Sequence, residues 1–485
     1  VGTTRSPFIV FFINNSTIHI ILLVNNLSNI IHYQLIDEHN EPKLIALKCA
    51  GILTGIFLTV SLILLYAALM DKELPRAPQK HLIPSLREAL LRRMNKLRRL
   101  LWSEKRVLPV KSYINLSLNI QSTSGIEEAY NHYVVLRMFY RSHFNLIIFE
   151  LVAISIIVVL GLLSSSPISQ IPAAATIVVF ISIIVVFVGF ISFWAKSWTN
   201  TVVLILVLLV DMASKHPWVL RTRESHAIGL CYDSPPAEYS PSSLRAIKNE
   251  ACYEQDKAYT LQILENWRKK FPADTPPKLV IICASGGGLF SGLGTFNTLQ
   301  KAERLTKGKL MKHTMLMSCV SGGTLGAAYF RELYLRQQQG QISDLYAKKY
   351  LDKVACNTLN AVMFNFIIND LFLNLKRVKY NNRTYRADRG FVLEEQTNKY
   401  TDYVFSKPLK AYKAPEYNSI IPMMFFYASV NDGSKLYMSP HQVSYMTTDF
   451  IDGKVAVRPN GEKGIDFMRF FRKHNAENIR FASVI

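Results

Sequence analysis

The sequence predicts a helical transmembrane region followed by an α/β domain, and three observations carry that expectation. Long apolar runs alternate with polar loops over the first 215 of the 485 residues. A proline-marked stretch follows, with Pro217, Pro235, Pro236 and Pro241. From about Asn249 amphipathic helical patterns alternate with short apolar strands, as in βα units packed around a sheet.

Composition narrows the class. The chain carries 56 Lys and Arg against 35 Asp and Glu, a net charge of +21, while 49% of its residues are hydrophobic and 19% charged. Mean hydropathy is +0.14. A disordered chain needs low hydrophobicity, and a purely soluble globule carries nearer a quarter charged residues. So large a basic excess points to nucleic acid or an anionic membrane surface as neighbour.

Three runs are long and apolar enough to cross a hydrocarbon core, which takes roughly 20 residues. Leu44 to Met70 has one charge, Lys48, near its start; Leu146 to Leu163 carries only Glu150; Ile171 to Trp194 carries none. Trp194 and Trp198 suit an interfacial aromatic belt. Ser16 to Tyr33, which holds Asn25 and Asn26, and the short Thr201 to Val210 are weaker candidates, readable as core or interfacial helices.

Between the spans, Asp71 to Lys111 holds twelve Lys and Arg against four Asp and Glu. Within it Leu86, Leu90, Met94, Leu97 and Leu101 recur at helical spacing, opposite Arg87, Arg92 and Arg99. A basic amphipathic helix beside a span is expected to lie on anionic lipid headgroups. No aromatic-interleaved basic platform accompanies the charge, so nucleic acid is not the expected partner. The positive-inside rule puts this loop in the cytoplasm and the acidic Ile36 to Lys43 outside. The domain reading is therefore 1–215 membrane region, 216–256 linker and 257–485 α/β domain.

In that domain Lys257 to Phe271 reads as an amphipathic helix, Lys278 to Ala284 and Lys312 to Val320 as strands, and the segment from Thr324 as the helix after the second strand. Each strand runs into a glycine-rich turn that opens a helix. The first turn is Ser285-Gly286-Gly287-Gly288-Leu289-Phe290-Ser291-Gly292, the second Cys319-Val320-Ser321-Gly322-Gly323. Helix N-termini present unpaired N–H groups to anions. A P-loop would need a Lys-Ser/Thr pair closing the glycines, and a dinucleotide fingerprint a glycine where Ser291 sits; neither is present.

Ser321, between strand and helix with Gly322 and Gly323 after it, reads as a nucleophile elbow. Donors from Gly287 and Gly288 would then stabilise the oxyanion of a tetrahedral acyl intermediate. The blander alternative is a serine capping an ordinary helix. None of the eleven histidines has a distinctive setting as a base, and His313 reads as the start of the strand leading to the serine. Cys319 reads as a small buried strand residue. The six cysteines include no C-x-x-C pair, which disfavours zinc and suits a reducing compartment. No metal or organic cofactor is expected.

The residues "CASGGGLFSG" followed by "SCVSGGTLGAAYFREL" resemble the patatin-like phospholipases, serine acyl-hydrolases with a glycine-rich oxyanion loop, a G-x-S-x-G elbow and a Ser–Asp dyad. "FFINNS", "IPAAAT", "ADRGFVLEE" and "SVNDGSKLYMSPHQVSY" extend the likeness to bacterial members with an amino-terminal multi-span region. The resemblance implies a three-layer α/β/α hydrolase domain, Ser321 as nucleophile, Gly286 to Gly288 as oxyanion loop, and an acyl lipid, such as a membrane phospholipid, as substrate. It also implies an integral protein of a bacterial inner membrane. If Thr201 to Val210 spans, the basic loop and the hydrolase domain lie on opposite faces; if it lies in the interface, both are cytoplasmic, which the unpaired cysteines and access to inner-leaflet lipid favour.

Three departures accompany it. Phe290 stands where the family loop usually carries Arg or Lys, and Cys319 replaces the first glycine of the elbow. The family's dyad aspartate follows a segment resembling "ENIRFASVI", at which this chain ends, so the hydrolase domain is read as truncated and its aspartate as lying beyond Ile485. Asp432 and Asp452 are the alternatives within the chain; Asp432 also reads as part of a hairpin turn.

Overall fold

The computed structural model describes residues 7–36, 41–71, 111–115, 117–122, 155, 159, 172–214, 216, 225–373, 377–380, 383–447, 449–451, 454–456 and 464–485. They fall into two compact units, Val1–Val152 and Ala153–Ile485. The chain mixes helix and sheet.

In the first unit the weak apolar run Ser16 to Tyr33 lies inside one helix, α1 (Pro7–Ile36), and Leu44 to Met70 inside a second, α2 (Pro42–Asp71). Asn14, on α1, receives the Ile114 N–H on its Oδ1 and donates its Nδ2 to the Ile114 carbonyl, each at 2.8 Å. Its amide thus behaves as a strand neighbour to β1 (Ser112–Ile114), which pairs antiparallel with β2 (Ile120–Ser122). By length and composition, Pro42–Leu62 is the one helical segment among the described residues suited to cross a membrane. Most of the basic segment at 71–111, and all of Leu146 to Leu163 except Ser155 and Val159, lie outside the described residues.

The second unit begins with two apolar helices, α3 (Ala173–Ala195) and α4 (Thr199–Ser214), whose apolar stretches Ala173–Gly189 and Thr199–Ala213 are shorter. The Lys257 to Phe271 pattern overlaps α5 (Glu250–Arg268), which starts earlier because Asn249 caps it, accepting the Cys252 N–H at 2.8 Å, and ends three residues sooner.

The sheet that follows has five strands: β3 (Val280–Ala284), β4 (Thr314–Cys319), β5 (Met423–Ser429), β6 (Lys435–Met438) and β7 (Gly464–Asp466). Their spatial order is β7-β6-β5-β4-β3. β3, β4 and β5 run parallel, β6 turns back against β5, and β7 lies parallel to β6. Between the first strands come α6 (Gly288–Leu305) after β3 and α7 (Gly322–Gln338) after β4.

Alternation along the strands sorts the core. Ile282, Met317, Cys319, Met424 and Phe426 join Phe296 and Leu299 of α6 and Ala327, Ala328 and Phe330 of α7 in the larger cluster. Leu316, Met423 and Phe425 instead pack with Ile263 of α5. On α7, buried Arg331 is ion-paired with Glu416 and donates to the Pro422 carbonyl at 2.8 Å, tying the helix to the residues that lead into β5.

The second strand begins later than its sequence pattern suggests. Lys309–His313 is a short helix, and His313 ends it rather than opening β4. The cause is non-local: Glu303 of α6 accepts the Met311 N–H at 2.8 Å, holding these residues in a helical turn.

Candidate functional site

Parallel pairing carries the C-terminal ends of β3, β4 and β5 to one edge of the sheet, and both glycine turns emerge there. The Val320 N–H reaches the Ala284 carbonyl at 3.0 Å, so the β3–β4 ladder continues to the threshold of both turns.

Ser321 has φ +52° and ψ −131°. A non-glycine residue with positive φ is uncommon, and such strain costs about 1–3 kcal/mol. The side chain caps nothing: it makes no hydrogen bond to the first turn of α7, so the ordinary-cap reading lacks its defining contact. The hydroxyl is exposed at the tip of the turn.

The first glycine turn faces it directly. A Cβ built on Gly286 would lie 3.1 Å from Ser321 Cβ and 3.8 Å from its Oγ. Gly288, with φ +61°, opens α6 and stays solvent-exposed. The first-turn amides of a helix have no intrahelical acceptor, so those around Gly287 and Gly288 are donors without an intrahelical bond beside the serine. Across the same gap the amide of Gly322 opens α7. An acyl carbonyl seated between the two turns would meet a hydroxyl on one side and backbone donors on the other. That is the arrangement acyl transfer uses.

Backbone contact holds the turns together. A Cβ on Gly322 would fall 1.8 Å from the Gly288 carbonyl oxygen, and one on Gly323 would fall 2.5 Å from that of Ser285. Ser291 adds a tie, its hydroxyl donating to the Ser285 carbonyl at 2.5 Å. Two glycines that the sequence reading gave no role continue the contact: a Cβ on Gly326 would lie 2.1 Å from the Gly292 carbonyl oxygen. Their signal was present. Gly288 and Gly292, like Gly322 and Gly326, are spaced i, i+4, which puts each pair on one helix face.

Cys319 is wholly buried in the larger core cluster, and burial pushes its thiol up to about 11. That makes it a packing residue. Phe290, in the first turn of α6, is 88% exposed.

The other candidates are placed as follows. Asp432 sits in the β5–β6 hairpin turn, at the same sheet edge as Ser321. Its Oδ2 accepts the Tyr239 hydroxyl at 2.8 Å and its Oδ1 the Ser434 N–H at 2.9 Å. Asp452 lies outside the described residues. His313 Nδ1 meets the Lys278 carbonyl at 3.0 Å, at the opposite end of β3 from the glycine turn. His441 is buried 3.1 Å from Glu416, and His474 Nδ1 meets the Cys231 carbonyl at 2.9 Å. Among the described residues no three His, Cys, Asp or Glu side chains gather where they could hold a metal ion. An open groove of about 700 Å³ runs between α5 and the start of β3, lined by Leu261, Trp267, Pro277 and Leu279, away from Ser321.

Compared with protein-family models, with characterised proteins and with solved structures, the chain matches none.

Proposed function

We propose that the chain is a membrane-anchored serine acyl-hydrolase of the patatin-like type, cleaving acyl esters of phospholipids or related lipids. One observation carries this reading: the strained backbone of Ser321 holds an uncapped hydroxyl against the open Gly286–Gly288 turn. Ser321 Oγ attacks the ester carbonyl carbon, and in the Ser–Asp dyad of this proposal its proton passes to the dyad aspartate. The tetrahedral oxyanion rests on backbone N–H groups at Gly287, Gly288 and Gly322. Collapse expels the alcohol, which takes up that proton, and leaves an acyl-enzyme. Water then releases the fatty acid and restores the serine.

The proposed fold is a three-layer α/β/α domain, with α6 and α7 on one side of the sheet and α5 on the other. The proposed division is 1–215 multi-span membrane region, 216–256 linker and 257–485 hydrolase, placed in a bacterial inner membrane with the hydrolase cytoplasmic and the basic 71–111 segment on anionic headgroups. Tethering raises the effective concentration of a lipid substrate.

The engagement of both Asp432 oxygens by Tyr239 and Ser434 favours a second reading, a scaffold or sensor that keeps the hydrolase fold without turnover. A fluorophosphonate probe on the full chain separates the two. Labelling of the wild type that disappears in Ser321→Ala is the expected result, and equal labelling of both sinks the enzyme reading. A thioesterase or acyltransferase on the same fold would label but release little free fatty acid from phospholipid vesicles.

A further inference from the structure

Phe290 is 88% exposed at the mouth of the glycine turn, in the first turn of α6. Val320, immediately before Ser321, and Leu359, the first residue of α8 (Leu359–Asn365), are each 50% exposed. Scattered exposed apolar residues are ordinary; a contiguous apolar patch marks an interaction surface.

The structure connects this mouth to an apolar helix in three short steps. Leu289, beside Phe290, shares a small cleft with Thr358, which leads into α8. The next residue but one, Asn360, accepts the Ala173 N–H at 2.9 Å and so caps the first turn of α3. A second anchor follows along α3, where Phe180 packs against Phe364, Ile367 and Ile368. α3 has no charged residue over its 23 positions. Ile177, Val178, Ile181, Ile184, Val185 and Phe187 remain exposed on it. At 3.6 residues per turn these cover about half of its circumference. Burying a broad apolar arc on an uncharged helix is what hydrocarbon does. A helix seated in lipid and capped by Asn360 carries Leu359, Leu289 and Phe290 to the lipid with it.

We infer that Phe290, Val320 and Leu359 form a lipid-facing rim that sets the Ser321 turn against the bilayer, so that the substrate is a bilayer lipid entering from the membrane rather than a dissolved ester. The inference rests on the reading of Ser321 as a lipid-acyl nucleophile. Phe290 gives the mouth a side chain that partitions into acyl chains.

Two measurements on the full chain test it. In the first, benzoylphenylalanine replaces Phe290 in the Ser321→Ala chain, reconstituted in phosphatidylcholine–phosphatidylglycerol vesicles and irradiated. The peptide holding position 290 is expected to gain the mass of a phospholipid. The same probe at Leu305, 83% exposed at the far end of α6, is expected to gain none. These positions are about 22 Å apart along the helix. No lipid adduct at 290, an adduct to protein instead, or equal labelling at 305 overturns the rim.

In the second, Phe290→Ser is expected to lower hydrolysis of vesicle phospholipid about tenfold or more while hydrolysis of a dissolved short-chain ester stays within about twofold, because only the first needs the bilayer contact. Equal loss on both substrates places Phe290 in the reaction itself and overturns the rim. Lipid labelling at 290 with no turnover by the wild type retires the hydrolase reading and leaves the rim standing.

Discussion

A Cβ on Gly322 would stand 1.8 Å from the Gly288 carbonyl oxygen, so the turn that carries Ser321 and the turn that faces it meet backbone to backbone. The Ser321 turn cannot accept a methyl at Gly322 without separating from the turn that faces it. Gly288 itself is different: nothing lies within 4 Å of where its Cβ would be, and its need for glycine is the φ of +61° alone. Gly322→Ala is therefore expected to cost about 1–3 kcal/mol by overpacking and to abolish fluorophosphonate labelling. Gly288→Ala is expected to cost about 1 kcal/mol of backbone strain and to keep most of the labelling. Thermal unfolding and probe labelling of both variants check this. Equal effects would mean that conformational freedom, not close approach, explains both glycines.

Asp432 lies at the right edge of the sheet for a dyad partner, yet its two oxygens are engaged, one by the Tyr239 hydroxyl and one by the Ser434 amide of its own turn. Those contacts describe an aspartate that fixes a hairpin. Asn in its place keeps the shape and an acceptor, so Asp432→Asn is expected to leave fluorophosphonate labelling near wild type and to lower stability by about 1 kcal/mol through the weakened turn bonds. A hundredfold fall in labelling with the fold intact would instead make Asp432 the base.

The part of the site that was legible in the sequence is the part built from consecutive residues. Gly286 to Gly288 and Ser321 to Gly323 each follow a short apolar strand, and their chemistry is written in local spacing. What joins them was not legible, because it depends on contacts between α6 and α7. The i, i+4 glycines at 292 and 326 acquire meaning only when two helices touch. Lys312 and His313 continue the apolar strand pattern in sequence yet end a short helix, because its fate rests on Glu303. The two strands that complete the sheet, β6 and β7, are short, and both run against the parallel set; nothing local marks their order. Asn360 is likewise an unremarkable residue until the N-terminus of α3 arrives beside it.

Two cysteines on neighbouring strands should behave oppositely. Cys283 on β3 is exposed, whereas Cys319 on β4 is wholly buried with its thiol pushed up to about 11 by burial. Thiolate is the reacting species, so at pH 8 a maleimide is expected to modify Cys283 within minutes and to leave Cys319 untouched until the chain unfolds. Peptide mass mapping before and after denaturant reads both sites. Modification of native Cys319 at the rate of Cys283 would show that the elbow opens readily, which a backbone-locked turn should not do.

Asp466, at the end of β7, makes the domain's stability depend on pH. Burial pushes its carboxyl up to about 6, with the nearby Asp256 adding to the rise. The Val443 N–H at 2.6 Å, the Arg469 N–H at 3.1 Å and the Arg469 charge pull the other way. An unfolded aspartate titrates near 3.9, so between about pH 4 and 6 the folded chain holds a proton that the unfolded chain has lost. The stability this contributes is full below about pH 4 and disappears as pH rises through about 6, a change of roughly 3 kcal/mol. Asn at 466 cannot ionise, but it loses one of the two acceptors, at a cost of about 1 kcal/mol. Asp466→Asn is therefore expected to be slightly less stable than wild type at pH 4, to lack the decline between pH 4 and 6, and to be the more stable of the two at pH 7. Urea unfolding of both chains at half-unit pH steps reads the difference directly, and parallel pH profiles would mean that Asp466 stays ionised in the fold, paired with Arg469.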